Sequence, residues 1–410
     1  MNEIGGDPVP KISYRSDLVV ASPIRRIAAL LAEARRRKDI ISFGGGAPSL
    51  EPPKELVEEA IKILKDHDVT RPFAYGATKG ILELRETICA DLKKYGGIDY
   101  NPDQVIVTEG ATEGIYVALS AVLDKGDEVI LMDPTYLGYS EPIKLLGGKI
   151  VRLPVYIGED FQPSLDLLNE KISDKTKAIM ILSPDNPTGR VIREDIAKGI
   201  VDLACDHDFW IIADDTYKHI IYEGKHVWIS ALENAYERTI TVCTFSKSAS
   251  LPGLRLGYVY GPEEAIECME RIKQYLTLCP NTFSQMVVKK FLEGELKERY
   301  IKEVVVPTYM ERRNVMGKAL EENLPDATIN WPAGAFYFFV DISNYLKQLG
   351  MDDEEFANKL LEKKSVVVIP GKYFGENGRN HVRLTFVSET NERIVKGVEL
   401  IAEFIRENVK

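Results

Sequence analysis

The sequence predicts an α/β fold: a mainly parallel seven-stranded sheet with helices on both faces, joined to a smaller α+β unit. Three observations predict it. Seven short apolar runs lie between residues 104 and 260, most of them rich in Val and Ile. They are nearly continuous in hydrophobicity, as strands buried on both faces are. Stretches with helical spacing separate several of them, the alternation of a parallel sheet with helices packed on it. Beyond residue 262 the alternation gives way to long helical stretches and a few short strands.

In order, the runs are Gln104–Thr108, Glu128–Met132, Ile150–Pro154, Ala178–Leu182, Phe209–Ala213, Thr239–Thr244 and Leu256–Tyr260. Helical patterns between them include Glu113–Leu123 and Glu194–His207. In the tail, Pro262–Leu278 and Phe283–Asn323 read as long helices. Pro307 marks a kink or break in the second, because its ring removes an N–H and crowds the preceding turn. Phe336–Asp341, Val366–Ile369 and Val382–Phe386 read as strands, and Asp353–Lys364 and Glu392–Asn408 as helices. The expected division is a large domain over 46–303 and a second unit formed by 1–45 with 304–410.

Composition narrows the function classes. The chain has 410 residues, 45% hydrophobic and 28% charged, enough for a core without disulfides or metals. Its net charge is −11 and its nearest approach to a basic run, Arg35-Arg36-Arg37-Lys38, is short. Nucleic acid and anionic membrane are therefore poor partners. The five cysteines are widely spaced with no CxxC pair, and no histidine sits in an HExxH spacing, so no metal site is expected. The opening MNEIGGDPVP has no signal-peptide pattern, and no apolar run approaches the roughly 20 residues of a membrane helix. A soluble cytoplasmic protein is expected.

In a parallel sheet, ligands gather beyond the carboxyl ends of the strands. Polar and small residues follow five of the seven runs: Glu109-Gly110-Ala111-Thr112, Asp133-Pro134-Thr135-Tyr136, Ser183 to Gly189, Asp214-Asp215-Thr216-Tyr217 and Phe245-Ser246-Lys247-Ser248. A lysine at such a place is ordinarily a solvated surface group. Lys247, however, lies in TFSKSASLPGLRLG, with Arg255 eight residues on. A lysine partly desolvated near another cation has a lowered pKa, and its neutral amine condenses with an aldehyde. Thr244, Ser246 and Ser248 are small donors that leave room for a phosphate.

This segment resembles the lysine signature of the fold-type I pyridoxal 5′-phosphate (PLP) aminotransferases: small–apolar–small–Lys, then an Arg eight residues later followed by an apolar residue and Gly. Thr244 stands where that pattern usually has Gly or Ser. The resemblance runs from about Ile41 to Phe404, through several motifs in the family's order. It implies that Lys247 carries PLP as a Schiff base and shuttles the proton. Gly110, Ala111 and Thr112 would open a helix whose N-terminus favours a phosphate dianion, with Thr244, Ser246 and Arg255 completing that site. Asp214 ends a very apolar run and needs a cationic partner, which the resemblance supplies as the pyridinium nitrogen. Tyr217 and Asn186 match residues that contact the cofactor's 3′-oxygen, and Tyr136 matches the ring that stacks on the pyridine. Taken alone, the Asn-Pro turn and the strand-end tyrosine would be read as structural.

Arg383 in HVRLTF matches the arginine that holds the substrate α-carboxylate, and Gly45 in ISFGGGAPS belongs to the same substrate site. Tyr75 in YGATKG matches a tyrosine reaching the neighbouring subunit's phosphate, which implies a homodimer with shared sites. Within the family the chain looks most like the α-aminoadipate, kynurenine and aromatic amino acid aminotransferases. The pieces that carry this are SPIRRI, ISFGGGAPS, IKQYLTLCPNTFSQ and PGKYF with GRNHVRLTF. Arg25 matches a position that meets an acidic side chain in some of those enzymes; an exposed helix charge is the equal alternative. The implied reaction is a ping-pong transfer from an amino acid to a 2-oxo acid. The rivals are a PLP-dependent β-lyase on the same scaffold and a ligand-sensing regulator. The latter needs a DNA-binding module for which the roughly 45 leading residues leave too little chain.

Overall fold

The computed structural model describes residues 10, 12–19, 40–66 and 71–409; Arg25 lies outside them. Among the described residues there are twelve strands: β1 Ile41–Ser42, β2 Val105–Thr108, β3 Glu128–Asp133, β4 Lys149–Pro154, β5 Thr176–Leu182, β6 Trp210–Asp214, β7 Thr239–Thr244, β8 Gly257–Tyr260, β9 Tyr337–Asp341, β10 Val366–Val367, β11 Ile369–Pro370 and β12 His381–Thr385. The seven apolar runs became β2 to β8, one sheet in the order β2-β8-β7-β6-β5-β3-β4. Strands β3 to β7 pair in parallel, and only β8 runs against its neighbours, antiparallel to both β7 and β2.

Alternation along the central strands feeds two cores, one on each face. Ile130, Met132, Ile179, Ile181, Ile211 and Ala213 pack with Ile196, Ile200 and Val201 of the helix Glu194–Asp206. Val129, Leu131, Met180 and Ile212 face the other way, into the core that holds Ile115, Ala118 and Leu119 of the helix Ala111–Val122. The edge strand β4 (KIVRLP) has only Leu153 buried, consistent with its mixed sequence.

In the C-terminal part, β11-β12-β9 form an antiparallel sheet and β1 pairs in parallel with β10. Helix Asp353–Lys364 has the expected bounds, and Val306–Asn323 packs on Asn391–Asn408. Two expected helices are shorter. Pro262–Leu278 is helical only over Glu263–Lys273. Phe283–Asn323 is divided into Thr282–Leu292 and, after Gly294 at φ 67°, Leu296–Tyr300, a wide π-turn at Ile301–Val305, and Val306–Asn323. Pro307 sits in the first turn after the π-turn, where a missing N–H is tolerated. Among the described residues, no helix is long and apolar enough to cross a membrane.

Candidate active site

A cavity of about 280 Å³ opens beyond the carboxyl ends of β5, β6 and β7, against the first turn of helix Ala111–Val122. The switch from strand to loop at these ends places Asn186, Asp214, Tyr217, Thr244, Ser246, Lys247 and Arg255 along its wall, with Ala111, Thr112, Tyr136 and Arg383.

One end is built for an anion. Gly110 precedes helix Ala111–Val122 at φ 78° and gives it no side-chain cap, so the first helical N–H groups are left for a ligand. A Cβ on Gly110 would lie 2.8 Å from Nη2 of Arg255, so glycine both takes the left-handed turn and admits the guanidinium. Arg255 itself has φ 50°; its Nη1 donates to the Pro252 carbonyl at 3.0 Å. No carboxylate among the described residues is within ion-pair distance of it. The Thr244 hydroxyl bonds that of Ser246 at 3.0 Å and accepts from the Ser246 N–H at 3.2 Å.

The middle holds the amine and the carboxylate. Lys247 Nζ donates to the Gly46 carbonyl at 2.7 Å. Burial, and then the charges of Arg383 and Arg255, lower its pKa from 10.5 to about 8, with Asp214 opposing. Asp214, 3% exposed at the end of β6, accepts from the Tyr139 hydroxyl at 2.8 Å and from the Thr216 N–H at 3.0 Å. Burial raises its pKa, and those two donors work against the rise. Tyr139 is itself buried and meets Tyr136 edge-on, with ring centroids 5.3 Å apart. The Tyr217 hydroxyl bonds that of Tyr337 at 2.8 Å.

At the far end Arg383, 1% exposed, donates to Asn186 Oδ1 at 2.9 Å and to the Gly44 carbonyl at 2.7 Å. Its Nε has no partner, and no carboxylate among the described residues pairs with it. Its guanidinium carbon lies 4.4 Å from the Tyr337 ring centroid and 5.0 Å from that of Phe374. A buried guanidinium without a counter-charge is costly, so this end too is shaped for an anion.

Not every expected residue joins the cavity. Gly46 and Ala47 line it, whereas Gly45 is beside them without lining it. Tyr75 is 87% exposed and is not part of this wall. Sequence reasoning missed Tyr139 and Tyr337. Tyr139 lies three residues after Tyr136 in TYLGY, a spacing that could have flagged it. Tyr337 was visible only as part of an apolar strand.

Two cationic ends, a lysine of depressed pKa and a buried carboxylate between them suit a phosphorylated aldehyde with a ring nitrogen, and the donor set fits PLP. Comparison with known proteins agrees. Residues 38–401 match the family model for aminotransferase class I and II. The chain is 36% identical to an aspartate aminotransferase of Pyrococcus abyssi, over 97% of this chain and 98% of that one. It is 34% identical to aromatic-amino-acid aminotransferase 2 of Thermococcus litoralis, over 97% and 98% respectively. The fold superposes on the aspartate aminotransferase of Thermus thermophilus with maleate at a TM-score of 0.90 and 30% identity, covering 96% of this chain and 100% of that one. The chain belongs to the aminotransferase class I and II family, the fold-type I transaminases that depend on PLP.

Proposed function

We propose that this transaminase moves an amino group from an L-amino acid (2-aminoadipate, an aromatic or an aliphatic one) to 2-oxoglutarate in two ping-pong half-reactions centred on Lys247. The observation that carries this reading is one depressed lysine between two guanidiniums, Arg255 and Arg383, that have no carboxylate partner among the described residues. Bound PLP supplies an electron sink for the substrate Cα.

Lys247 would hold the cofactor through its amine, and that amine, when free, would take and return the substrate Cα proton. A pKa near 8 suits an amine that must both take and give that proton. Asp214, whose ionised form Tyr139 and Thr216 favour, would hold the proton on the ring nitrogen. Tyr136 would lie against the ring, Tyr217 and Asn186 would hold its 3′-oxygen, and Gly110, Ala111, Thr112, Thr244, Ser246 and Arg255 would grip the phosphate. Arg383 binds the substrate α-carboxylate through its fork, beside Asn186 and the loop containing Gly45. The exposure of Tyr75 supports its service to a second subunit, in a homodimer with shared sites. Arg25 meets the distal carboxylate of acidic substrates. Relatives named for aspartate and for aromatic amino acids support a donor range that includes acidic and aromatic side chains.

The test is a visible spectrum of the purified protein with PLP, before and after glutamate, aspartate, 2-aminoadipate, leucine or phenylalanine. A yellow band lost with a donor and restored by 2-oxoglutarate is the expected result, and the donors are ranked by how fast it is lost. A protein that stays colourless with PLP and responds to no amino acid refutes the reading.

A further inference from the structure

We propose that Asp133 is a positioning residue for the substrate carboxylate: it ties the loop that packs Phe374 under Arg383 to the strand end that carries Tyr136. The proposal rests on the reading of Arg383 as the carboxylate anchor.

Asp133 ends β3 and is 4% exposed, yet no lysine or arginine among the described residues lies within ion-pair distance of it. Its carboxylate instead accepts the backbone N–H groups of Glu376 and Asn377, both at 3.2 Å. A third bond runs alongside, from the Thr135 N–H to the Phe374 carbonyl at 3.0 Å. Gly375 has φ 143°, and a Cβ there would overlap the Asp133 carboxylate, so the backbone can come this close only as glycine. Burial raises the carboxyl's pKa, and the nearby Arg152 and the two N–H groups oppose the rise.

These contacts join the segment that carries one lining residue of the cavity to the loop that packs behind another. On one side, three residues after Asp133, Tyr136 lines the cavity. On the other, residues 371–380 connect β11 to β12, the strand of Arg383. Phe374, buried at 2% exposure, presents its ring to the guanidinium, and Tyr337 presents the other ring. Bidentate carboxylate binding depends on the plane of the guanidinium, so releasing the Phe374 loop misdirects the fork. A carboxylate that merely capped a turn would, when lost, weaken stability and all ligands alike.

The test uses the PLP-loaded enzyme and amino acids methylated at Cα, which bind but have no Cα proton to lose: 2-methylglutamate and 2-methylphenylalanine, whichever the parent protein binds more tightly. Dissociation constants for this probe and, separately, for PLP are measured for the parent, Asp133→Ala and Arg383→Lys. The expected result is a probe constant raised about tenfold by Asp133→Ala, one lost charge-assisted interaction's worth, with the PLP constant moved less than about threefold. If Asp133→Ala leaves the probe constant unchanged, or weakens PLP as much as the probe, the positioning role is overturned. If Arg383→Lys leaves the probe constant unchanged, the anchor reading itself fails, a separate outcome. Should Asp133→Ala not fold, Asp133→Asn, which keeps the volume but only one acceptor, undergoes the same measurement under the same criteria.

Discussion

Replacing Tyr139 with phenylalanine removes one hydroxyl and leaves the ring where it packs edge-on to Tyr136. The hydroxyl donates to one oxygen of Asp214 at 2.8 Å, and the Thr216 N–H holds the other at 3.0 Å, with the Thr216 side chain also favouring the ionised carboxyl. Burial already pushes the Asp214 carboxyl above its ordinary range, so loss of a donor to the ionised form pushes it further up. A hydrogen bond to a charged group is worth about 1.5–3 kcal/mol, which changes the ratio of ionised to protonated carboxyl by roughly tenfold to hundredfold. On the proposed reading the Asp214 carboxylate would face the cofactor's ring nitrogen and titrate with it as a pair, so the effect is read on the pair. The acid limb of the donor half-reaction, followed by absorbance against pH, is expected to move to higher pH, and PLP is expected to bind more weakly. The melting temperature should fall by only a few degrees, since the ring and its packing remain. An acid limb that does not move, with PLP affinity within about twofold of the parent, would refute the reasoning.

Three further outcomes are expected. Lys247→Ala abolishes multiple turnover while circular dichroism and melting stay near those of the parent; normal turnover by this variant would remove Lys247 from the mechanism. Gly110→Ala forces a Cβ to 2.8 Å from Arg255 at φ 78°, so PLP affinity should fall by tenfold or more, about 1.4 kcal/mol, measured by titrating the PLP-free protein. In PLP-free protein the Lys247 pKa is depressed from 10.5 to about 8, so the folded state loses its proton first. Its cost to stability is full below pH 8 and lifts as pH rises toward 10.5. Lys247→Met should therefore be more stable than the parent near neutrality, by up to about 3 kcal/mol in urea unfolding, with the advantage shrinking at alkaline pH.

The sheet was legible because burial on both faces leaves a strong mark: all seven apolar runs are strands, with ends within two residues of those expected. The reversed direction of β8 was not, since hydrophobicity says nothing of which way a strand points. Pro262–Leu278 was read too long because its apolar pattern continues through Tyr275, Leu276 and Leu278, which turn out to be exposed, the last at φ 65°. At the site, residues carried by the lysine signature, the strand ends and the HVRLTF motif could be named, whereas the hydroxyls of Tyr139 and Tyr337, which meet their partners across the fold, could not. Tyr139 meets Asp214 across 75 positions, and Tyr337 meets Tyr217 across 120. Three successive glycines, Gly44 to Gly46, gave no means of telling which faces the cavity.

The division of labour among the cavity's cations follows from their chemistry. The guanidinium fork of Arg255 and Arg383 suits the holding of anions rather than the carrying of a proton. Lys247 has its pKa lowered to about 8, partly because the two arginines repel its charge. On the proposed reading, each anion that binds cancels part of this repulsion. Phosphate at Arg255 does so when the cofactor is loaded, and the substrate carboxylate does so at Arg383, whose effect on Lys247 ranks second only to burial. On the same reading the Lys247 amine would be a stronger base with both anions bound than in the empty site, at the point where the Cα proton has to be taken. A ligand that occupies the cavity without a carboxylate for Arg383 would leave that repulsion in place and Lys247 a weaker base.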